Sequence, residues 1–488
     1  MNIVDKFIGF FNPEAAWQRA MFREGLDKLR NYNAAKVDRL QPWVPVNASP
    51  EQTDGPHRDL VKARARDLER NSDMAEAAIG AITRNVVGTG IKPQAKVKKA
   101  DGTTDEKIND RLEELWKIWV KAKNCDITGL STFYELQDTM LRRRIVDGEI
   151  FCKMVTDRSS KIPLRLQGIE SDLLDTSLMR APKSKNPVIS GVEVNEHFQP
   201  LAYWFVRATP DGFTSLDSQR VPASQVMHLF KKVRFNQVRG VSELARVIPR
   251  MKETGEYLDA ELVAAKIAAS FALFVKKNNP GNMGRQFETK DGKRIEHIAP
   301  GMIEYLMPGE DIATASPSRG ATTVRDFIEI ETRLTGAGMG LSYEAISRDM
   351  SKTNYSSARQ NHLEDRRTWQ PMQEYLVQHF CQPVWESFVE ACVLGGLIDL
   401  PDYWQDPEKY RKCYWIAPGW TWIDPLKDVK ASREELEAGL NTLQEICAER
   451  GLDWQEVIEQ RAREQDYMEE LGLLGKGVDA NAGKDKTT

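Results

Sequence analysis

Cysteine is scarce and unpatterned in this chain. The 488 residues hold six, Cys125, Cys152, Cys381, Cys392, Cys413 and Cys447, separated by 27, 229, 11, 21 and 34 positions. That spacing matches neither a disulfide framework nor a zinc knuckle, so the expectation is reduced thiols in a cytosolic protein. Six histidines, spread from His57 to His379, offer no ligand spacing, and neither H-E-x-x-H nor C-x-x-C occurs. No metal is expected. Long apolar runs are missing too: the nearest, 258–275, is interrupted by Asp259, Glu261 and Lys266, which excludes a spanning helix. The apolar start, residues 1–11, carries Asp5 and Lys6 and lacks a small-residue cleavage site, so no signal peptide is expected. A positive excess is absent, since 68 Lys and Arg stand against 72 Asp and Glu for a net charge of −4. A tight sequence-specific DNA binder, which gathers on phosphate through basic residues, is disfavoured. Catalytic signatures are lacking as well. There is no G-x-x-x-x-G-K-S/T, Gly88-Thr-Gly90 follows a helical pattern and lacks a third glycine, and Gly240-Val-Ser-Glu-Leu244 lacks the closing glycine of a nucleophile elbow. No ATP motor or dinucleotide enzyme is indicated, and no cofactor is expected.

What is present is a somewhat polar globular composition, 41% hydrophobic and 29% charged, long enough for several domains. Residues 41–56 hold four prolines and read as an extended linker. Helical periodicity follows from His57 to about Val87, and again through Ile108, Leu112, Leu115, Trp116 and Trp119. A third helix opens at Thr132-Phe-Tyr-Glu135, the spacing of a capping box. Between 149 and 232 the pattern changes to β-branched and aromatic runs at 150–155, 164–169, 188–194, 201–206 and 226–230, an antiparallel β region with a hairpin joining 191–194 to 201–206. A long helix is expected over 241–277, broken at Pro249 or Gly255 and Ala-rich in its second half. A small mixed insertion, 278–320, contains a strand at 302–306. Helix resumes at about 322–336, a polar loop fills 341–353, and a helix over 354–394 should kink at Pro371 and Pro383. An aromatic stretch and a charged helical tail at 424–474 complete the pattern; residues 427–471 carry 6 basic against 13 acidic residues. The last dozen residues read as disordered. The fold class is α+β.

Several side-chain clusters admit two readings. Asp147 and Glu149, flanking Gly148, could pair as carboxylates, but a turn before a strand explains them more simply. Arg142-Arg-Arg144 and the lysines of 92–99 suit a solvated face or a salt bridge between subunits better than a nucleic-acid site. The tryptophans of 404–422 could stack bases, yet the acidic flank repels phosphate, which favours core or interface packing. This chemistry leaves open a non-enzymatic assembly protein or an enzyme of unfamiliar motif.

Six segments in one order narrow the choice: Arg64-Ala-Arg-Asp-Leu-Glu-Arg-Asn71, Asn85-Val-Val-Gly-Thr-Gly90, Val238-Arg-Gly-Val241, Asp259-Ala-Glu-Leu-Val-Ala-Ala-Lys266, Ala315-Ser-Pro-Ser-Arg319 and Asn354-Tyr-Ser-Ser-Ala-Arg359. Over about residues 55–470 the chain resembles the lambda-type portal proteins of tailed bacteriophages. The resemblance implies a non-enzymatic ring, usually of about twelve subunits, at one capsid vertex, through which double-stranded DNA is packaged and later leaves. By position it implies an N-terminal arm and linker (1–56), a helical and antiparallel-β wing (57–240), two stem helices (241–277 and 321–340) around a small α/β clip (278–320), a tunnel loop (341–353), a kinked wing helix (354–398), a helical crown (399–474) and a disordered tail (475–488). Implied partners are further copies of the chain, the terminase large subunit, the major capsid and scaffold or protease proteins, head-completion and tail adaptor proteins, and DNA held without sequence preference in the channel. No membrane is implied; the expected place is the virion, after assembly in the host cytoplasm. Residues assigned on this basis are Ser342, Glu344, Arg348, Asp349 and Lys352 for the DNA-facing loop, Arg285, Lys290, Lys293 and Arg294 for terminase docking, and Ala264, Ala265, Ala268 and Ala269 for the subunit interface. The composition agrees, because a passage for DNA should not grip it, and the loop carries two charges of each sign. Another virion ring or adaptor, and a soluble enzyme, stand as alternatives.

Overall fold

The computed structural model describes residues 47–471, apart from 100, 183–185, 209–213, 270–272, 277–288, 291–292, 295–302, 307–320 and 421–424. Of the expected arm and linker (1–56), residues 1–46 lie outside the described residues, as does the expected tail at 475–488.

Local capping fixes where the first helices start. Helix α1 (Pro50–Asn71) begins inside the segment expected to be extended. The reason is Ser49-Pro-Glu-Gln52: the Ser49 amide donates to Gln52 Oε1 at 3.2 Å and the Gln52 amide to Ser49 Oγ at 3.4 Å, while Pro50 takes the first helical position, where a missing N–H costs nothing. Helix α2 (Asp73–Val86) is capped by Ser72, and short strand β1 (Lys92–Ala95) follows. Helix α3 (Glu106–Trp119) buries Leu112, Leu115, Trp116 and Trp119, the stripe its periodicity predicts. After the single turn α4 (Ala122–Cys125), α5 (Phe133–Val146) opens with the expected capping box between Thr132 and Glu135.

Seven strands come next: β2 (Glu149–Val155), β3 (Arg165–Ile169), β4 (Val188–Ile189), β5 (Val192–Val194), β6 (Pro200–Ala208), β7 (Thr214–Pro222) and β8 (Val226–Phe230). They form two antiparallel sheets, ordered β3-β2-β8 and β4-β5-β6-β7. The run at 188–194 folds on itself because Ser190 (φ 45°) and Gly191 (φ 86°) make a tight turn with positive φ at both positions. Strand β7 escapes a reading of periodicity, since Thr214-Ser-Leu-Asp-Ser-Gln-Arg-Val-Pro222 is too polar to register as a run; it is an edge strand paired to β6. Phe151 joins the sheets, its ring 5.4 Å from both Tyr203 and Phe205.

The helix expected over 241–277 is shorter. Ser242 Oγ caps a 3-10 turn (Glu243–Arg246), α6 runs Ile248–Ala269, and the chain then turns extended as β9 (Leu273–Lys276). Leu-Phe-Val-Lys favours a strand here because it has a partner: β9 pairs in parallel with β12 (Ile303–Leu306), after a small hairpin of β10 (Thr289–Lys290) and β11 (Lys293–Arg294). At 22 residues α6 spans about 33 Å. Helix α7 (Ala321–Met339) returns antiparallel to it, with Tyr257 against Phe327 at 4.7 Å and Arg250 paired to Glu331 at 3.3 Å.

Within the loop expected at 341–353 lies a short helix, α8 (Tyr343–Ser347). Helix α9 (Tyr355–Leu376) passes through Pro371, and a π-helical turn (Val377–Cys381) leads into α10 (Gln382–Leu394). The wider turn lies just ahead of Pro383, and Gln382 N–H bonds to Val377 O, five residues back. Pro383 is thus taken near the start of α10, where its missing amide is tolerated. Helix α11 (Pro407–Arg411) and β13 (Cys413–Ile416), which pairs antiparallel with β1, complete the body. The expected tail is three helices, α12 (Pro425–Glu437), α13 (Leu443–Ala448) and α14 (Trp454–Glu470). Gly439 and Gly451, both at positive φ, separate them.

The main core centres on Trp116, whose ring lies within 5.0–5.3 Å of Trp119, Phe133, Trp385 and Phe388. It therefore ties α3, α5 and α10 together. All six thiols are free, five of them buried.

Candidate functional site

Loop 341–353 is pinned at both ends. Ser342 caps α8 and also bonds across to α9, its amide to Asp365 Oδ1 and its hydroxyl to Asp365 Oδ2, each at 2.7 Å. Burial raises the Asp365 carboxyl above its ordinary value despite those bonds. Glu344 accepts from Asn361 Nδ2 at 2.9 Å and Thr353 Oγ1 at 3.2 Å. Lys352 reaches α7, its ammonium 2.6 Å from Glu329 Oε2. Asp349 turns inward on Ser351, whose hydroxyl and amide bonds lower the Asp349 carboxyl. That leaves Arg348 as the exposed tip: it ends α8 in the left-handed region (φ 55°) and makes no ion pair among the described residues. The five residues named for this loop thus share one segment, with Ser342, Glu344 and Lys352 anchoring it and Arg348 presented to solvent.

The other assigned groups are placed less fully. Lys290 and Lys293 face each other in the β10–β11 register with Arg294 beside them, while Arg285 lies outside the described residues. Ala264 is half-buried and Ala265 exposed on α6; the side chains of Ala268 and Ala269 lie outside the described residues.

A second cluster was not legible as a site. Asp147 and Glu149 are both buried, on either side of Gly148. Glu149, the first residue of β2, accepts from Arg239 Nε at 2.8 Å, the Gly240 amide at 2.8 Å and His228 Nε2 at 3.1 Å. Burial alone would push this carboxyl up, but Arg239 and His228 hold it well below the usual range. The same burial lowers His228 against the pull of Glu149, and its ring stacks on Phe151 at 4.2 Å. Asp147 receives Arg66 in bidentate fashion, both contacts at 2.8 Å. Gly148 (φ 91°) and Gly240 bring the two backbones into contact: a Cβ on Gly240 would lie 2.1 Å from Gly148 O, and one on Gly148 would lie 2.3 Å from the Val241 carbonyl carbon. Arg142 and Arg143 bind Glu69, and Arg144 lies over Tyr375 at 4.2 Å while pairing with Glu243 at 3.2 Å. The three arginines are therefore partnered inside the chain, where a solvated face or a bridge between subunits was expected. The available signal was the charged stripe Arg58, Lys62, Arg66 and Glu69 on α1, spaced i, i+4, i+8 and i+11, too regular for a random solvated face. The cluster locks the segment leading into α6 onto α1, α5 and the three-stranded sheet.

The aromatic stretch packs inward. Trp415 donates to Gln382 Oε1 at 2.8 Å, and Trp420 stacks on Trp369 at 5.9 Å and donates to Asn85 Oδ1 at 3.0 Å; among the described tryptophans of the stretch only Trp404, 65% exposed, stands out, and Trp422 lies outside the described residues. Among the described residues no cluster of His, Cys, Asp or Glu could hold a metal, and no helix is long and apolar enough to cross a membrane.

Comparison with known proteins assigns the family. Residues 36–373 match the phage portal proteins of the lambda family. The probable portal protein of Halomonas phage phiHAP-1 is 28% identical over 439 residues, 87% of this chain and 84% of its own. Portal protein B of Escherichia phage lambda is 24% identical, with 92% of each chain covered. Among solved structures, a chain from the neck of a native GTA particle computed with C12 symmetry aligns over 82% of this chain and 99% of its own, at 11% identity and a TM-score of 0.41. With the family match spanning more than two thirds of its length, the chain belongs to the lambda family of phage portal proteins, the head–tail connectors of the virion.

Proposed function

We propose that this portal protein works as a closed ring of about twelve copies whose axial channel passes double-stranded DNA into and out of the capsid. In that ring α6 and α7 are the stem, residues 278–320 the clip, loop 341–353 the channel-facing loop, residues 57–240 with the kinked 354–398 helix the wing, and 399–474 the crown. The terminase large subunit, and later head-completion and tail adaptor proteins, dock on the clip, where Lys290, Lys293 and Arg294, with Arg285, offer positive charge. The wing meets the major capsid and scaffold proteins. The protein catalyses no reaction of its own.

One observation carries the ring: the antiparallel pair α6–α7 leaves apolar side chains outside. Leu258, Leu262 and Val263 on α6, and Phe327, Ile330 and Leu334 on α7, are each between 40% and 53% exposed. On α7 they recur at i, i+3 and i+7, a stripe that a folded chain normally covers. A neighbour's stem covers it if each copy presents one helix to the other helix of the next, a heterologous contact that closes by rotation. Ala264, Ala265, Ala268 and Ala269 allow close approach at the same end.

Native mass spectrometry with negative-stain imaging of the purified chain tests this. Rings of about twelve subunits with a hole wide enough for duplex DNA are expected, and the double variant I330E/L334E should run as monomer with an unchanged circular dichroism spectrum. A wild-type chain that stays monomeric or dimeric across concentration and salt would instead indicate an adaptor that assembles only on a partner.

A further inference from the structure

Helix α14 is docked with little apolar beneath it beyond half-buried Trp454 at its start, over whose ring Lys96 lies at 6.0 Å. None of its 17 residues is buried, and a cleft of about 770 Å³ separates it from α3. Across that cleft like charges face each other. Glu113 of α3 meets Asp453, the cap of α14, and Glu456; Asp110 meets Glu459. The cations lining the cleft are Lys117 and Arg463, and Arg463 is taken up by Glu459 within its own helix at 3.2 Å. What holds the helix is polar: Lys117 to Glu456 at 3.1 Å, and Gln94 Nε2 to Asp453 Oδ1 at 2.5 Å and to Gln455 Oε1 at 2.8 Å.

Glu113 sits where these contacts meet. It is half-buried and accepts the Ala95 amide at 2.9 Å. The charged or titratable groups around it are Asp453 and Glu456 from α14, Lys117 from its own helix, Lys96 at the end of β1 and the Cys413 thiol of β13. Burial, then Asp453 and Glu456, push its carboxyl up to about 7, against the opposing pull of the Ala95 amide and Lys117. Burial raises Asp453 and Asp110 as well.

We propose that α14 is a proton-controlled clasp, docked on α3 while Glu113 is protonated and released as Glu113 ionises. The direction follows from linkage. A carboxyl raised in the docked state favours docking fully below its ordinary value of 4.5, and that contribution is lost as pH climbs to about 7. Helix α14 therefore answers to acidity, and this inference does not depend on ring formation.

Hydrogen exchange of the full chain, corrected for the intrinsic pH dependence of amide exchange, tests it with α5 as internal reference. Protection of 454–470 should fall about tenfold between pH 6 and pH 8 while α5 stays constant. Glu113→Gln, permanently neutral, should show at pH 8 at least the protection that the wild-type chain shows at pH 6, and Lys117→Gln should lower protection at both. A flat wild-type profile, or a Glu113→Gln profile that follows the wild type, overturns the proposal. Should Glu113→Gln also expose α5, Asp453→Asn serves in its place, since asparagine keeps the helix cap; it should lose less than about half as much protection as wild type over the same range, and an unchanged loss overturns the proposal.

Discussion

Glu149 shows how a single carboxylate can fix the path of the chain far from it in sequence. Its partners Arg239 and Gly240 lie some ninety positions on, directly before the segment that enters α6. Replacing it by glutamine leaves the Arg239 guanidinium buried without its counter-charge, a class of change that costs about 3–5 kcal/mol. Glu149→Gln should therefore lower stability by that amount in denaturant titrations at pH 7. The acid limb gives a second check. A depressed carboxyl contributes its full stabilisation above its ordinary value of 4.5, and loses it as pH falls through the native value, so the gap between wild type and variant should be constant near neutrality and narrow below pH 4.5. His228, also lowered by burial, costs both proteins stability as pH falls below 6.5 and so does not itself narrow the gap. An equal gap at pH 7 and pH 3 would mean that the effect is one of packing and not of charge. Gly148→Ala should cost at least about 2 kcal/mol, because it combines a positive φ with a Cβ placed on the Val241 backbone.

At the scale of elements, legibility in the sequence tracked how local the determining physics is. The capping box at Thr132 and the tryptophan stripe of α3 depend on neighbours three to eight residues away, and both were readable. The end of α6 was not, because 273–276 becomes a strand only through 303–306, some thirty residues on. The same holds for the arginines of α5, whose partners sit on α1 and beyond 240. Segment 341–353, expected as a loop, separates α7 from α9 but holds α8, and its anchoring by Asp365 and Glu329 is tertiary. Under the proposed channel role, holding the loop and touching DNA fall to different residues. Arg348→Gln with Lys352→Gln should leave ring assembly unchanged in native mass spectrometry, since Ser342 and Glu344 still hold the loop, while altering DNA packaging or retention in a packaging assay. Loss of the ring in this double variant would make the loop a structural element.

For the whole molecule, charge is distributed in a way that suits passage over capture. The chain carries −4 overall, and 427–471 alone carries −7, so the remaining residues sum to only +3. A protein that retains DNA does so by releasing counterions from many phosphates, and that requires a continuous basic surface. Here many of the described arginines are spent on carboxylates of the same chain, as at Arg66, Arg142, Arg143 and Arg239. The assembled protein should therefore bind duplex DNA no more tightly than about 1–100 μM near physiological salt, the range of purely non-specific contact. Fluorescence anisotropy with a labelled duplex, repeated at rising salt, measures both quantities that matter. A shallow slope, corresponding to one or two phosphates per subunit, would assign the contact to a tip such as Arg348 on an otherwise neutral wall. A steep slope with tight binding would mean that the axial wall is basic and that the acidic helices face away from it.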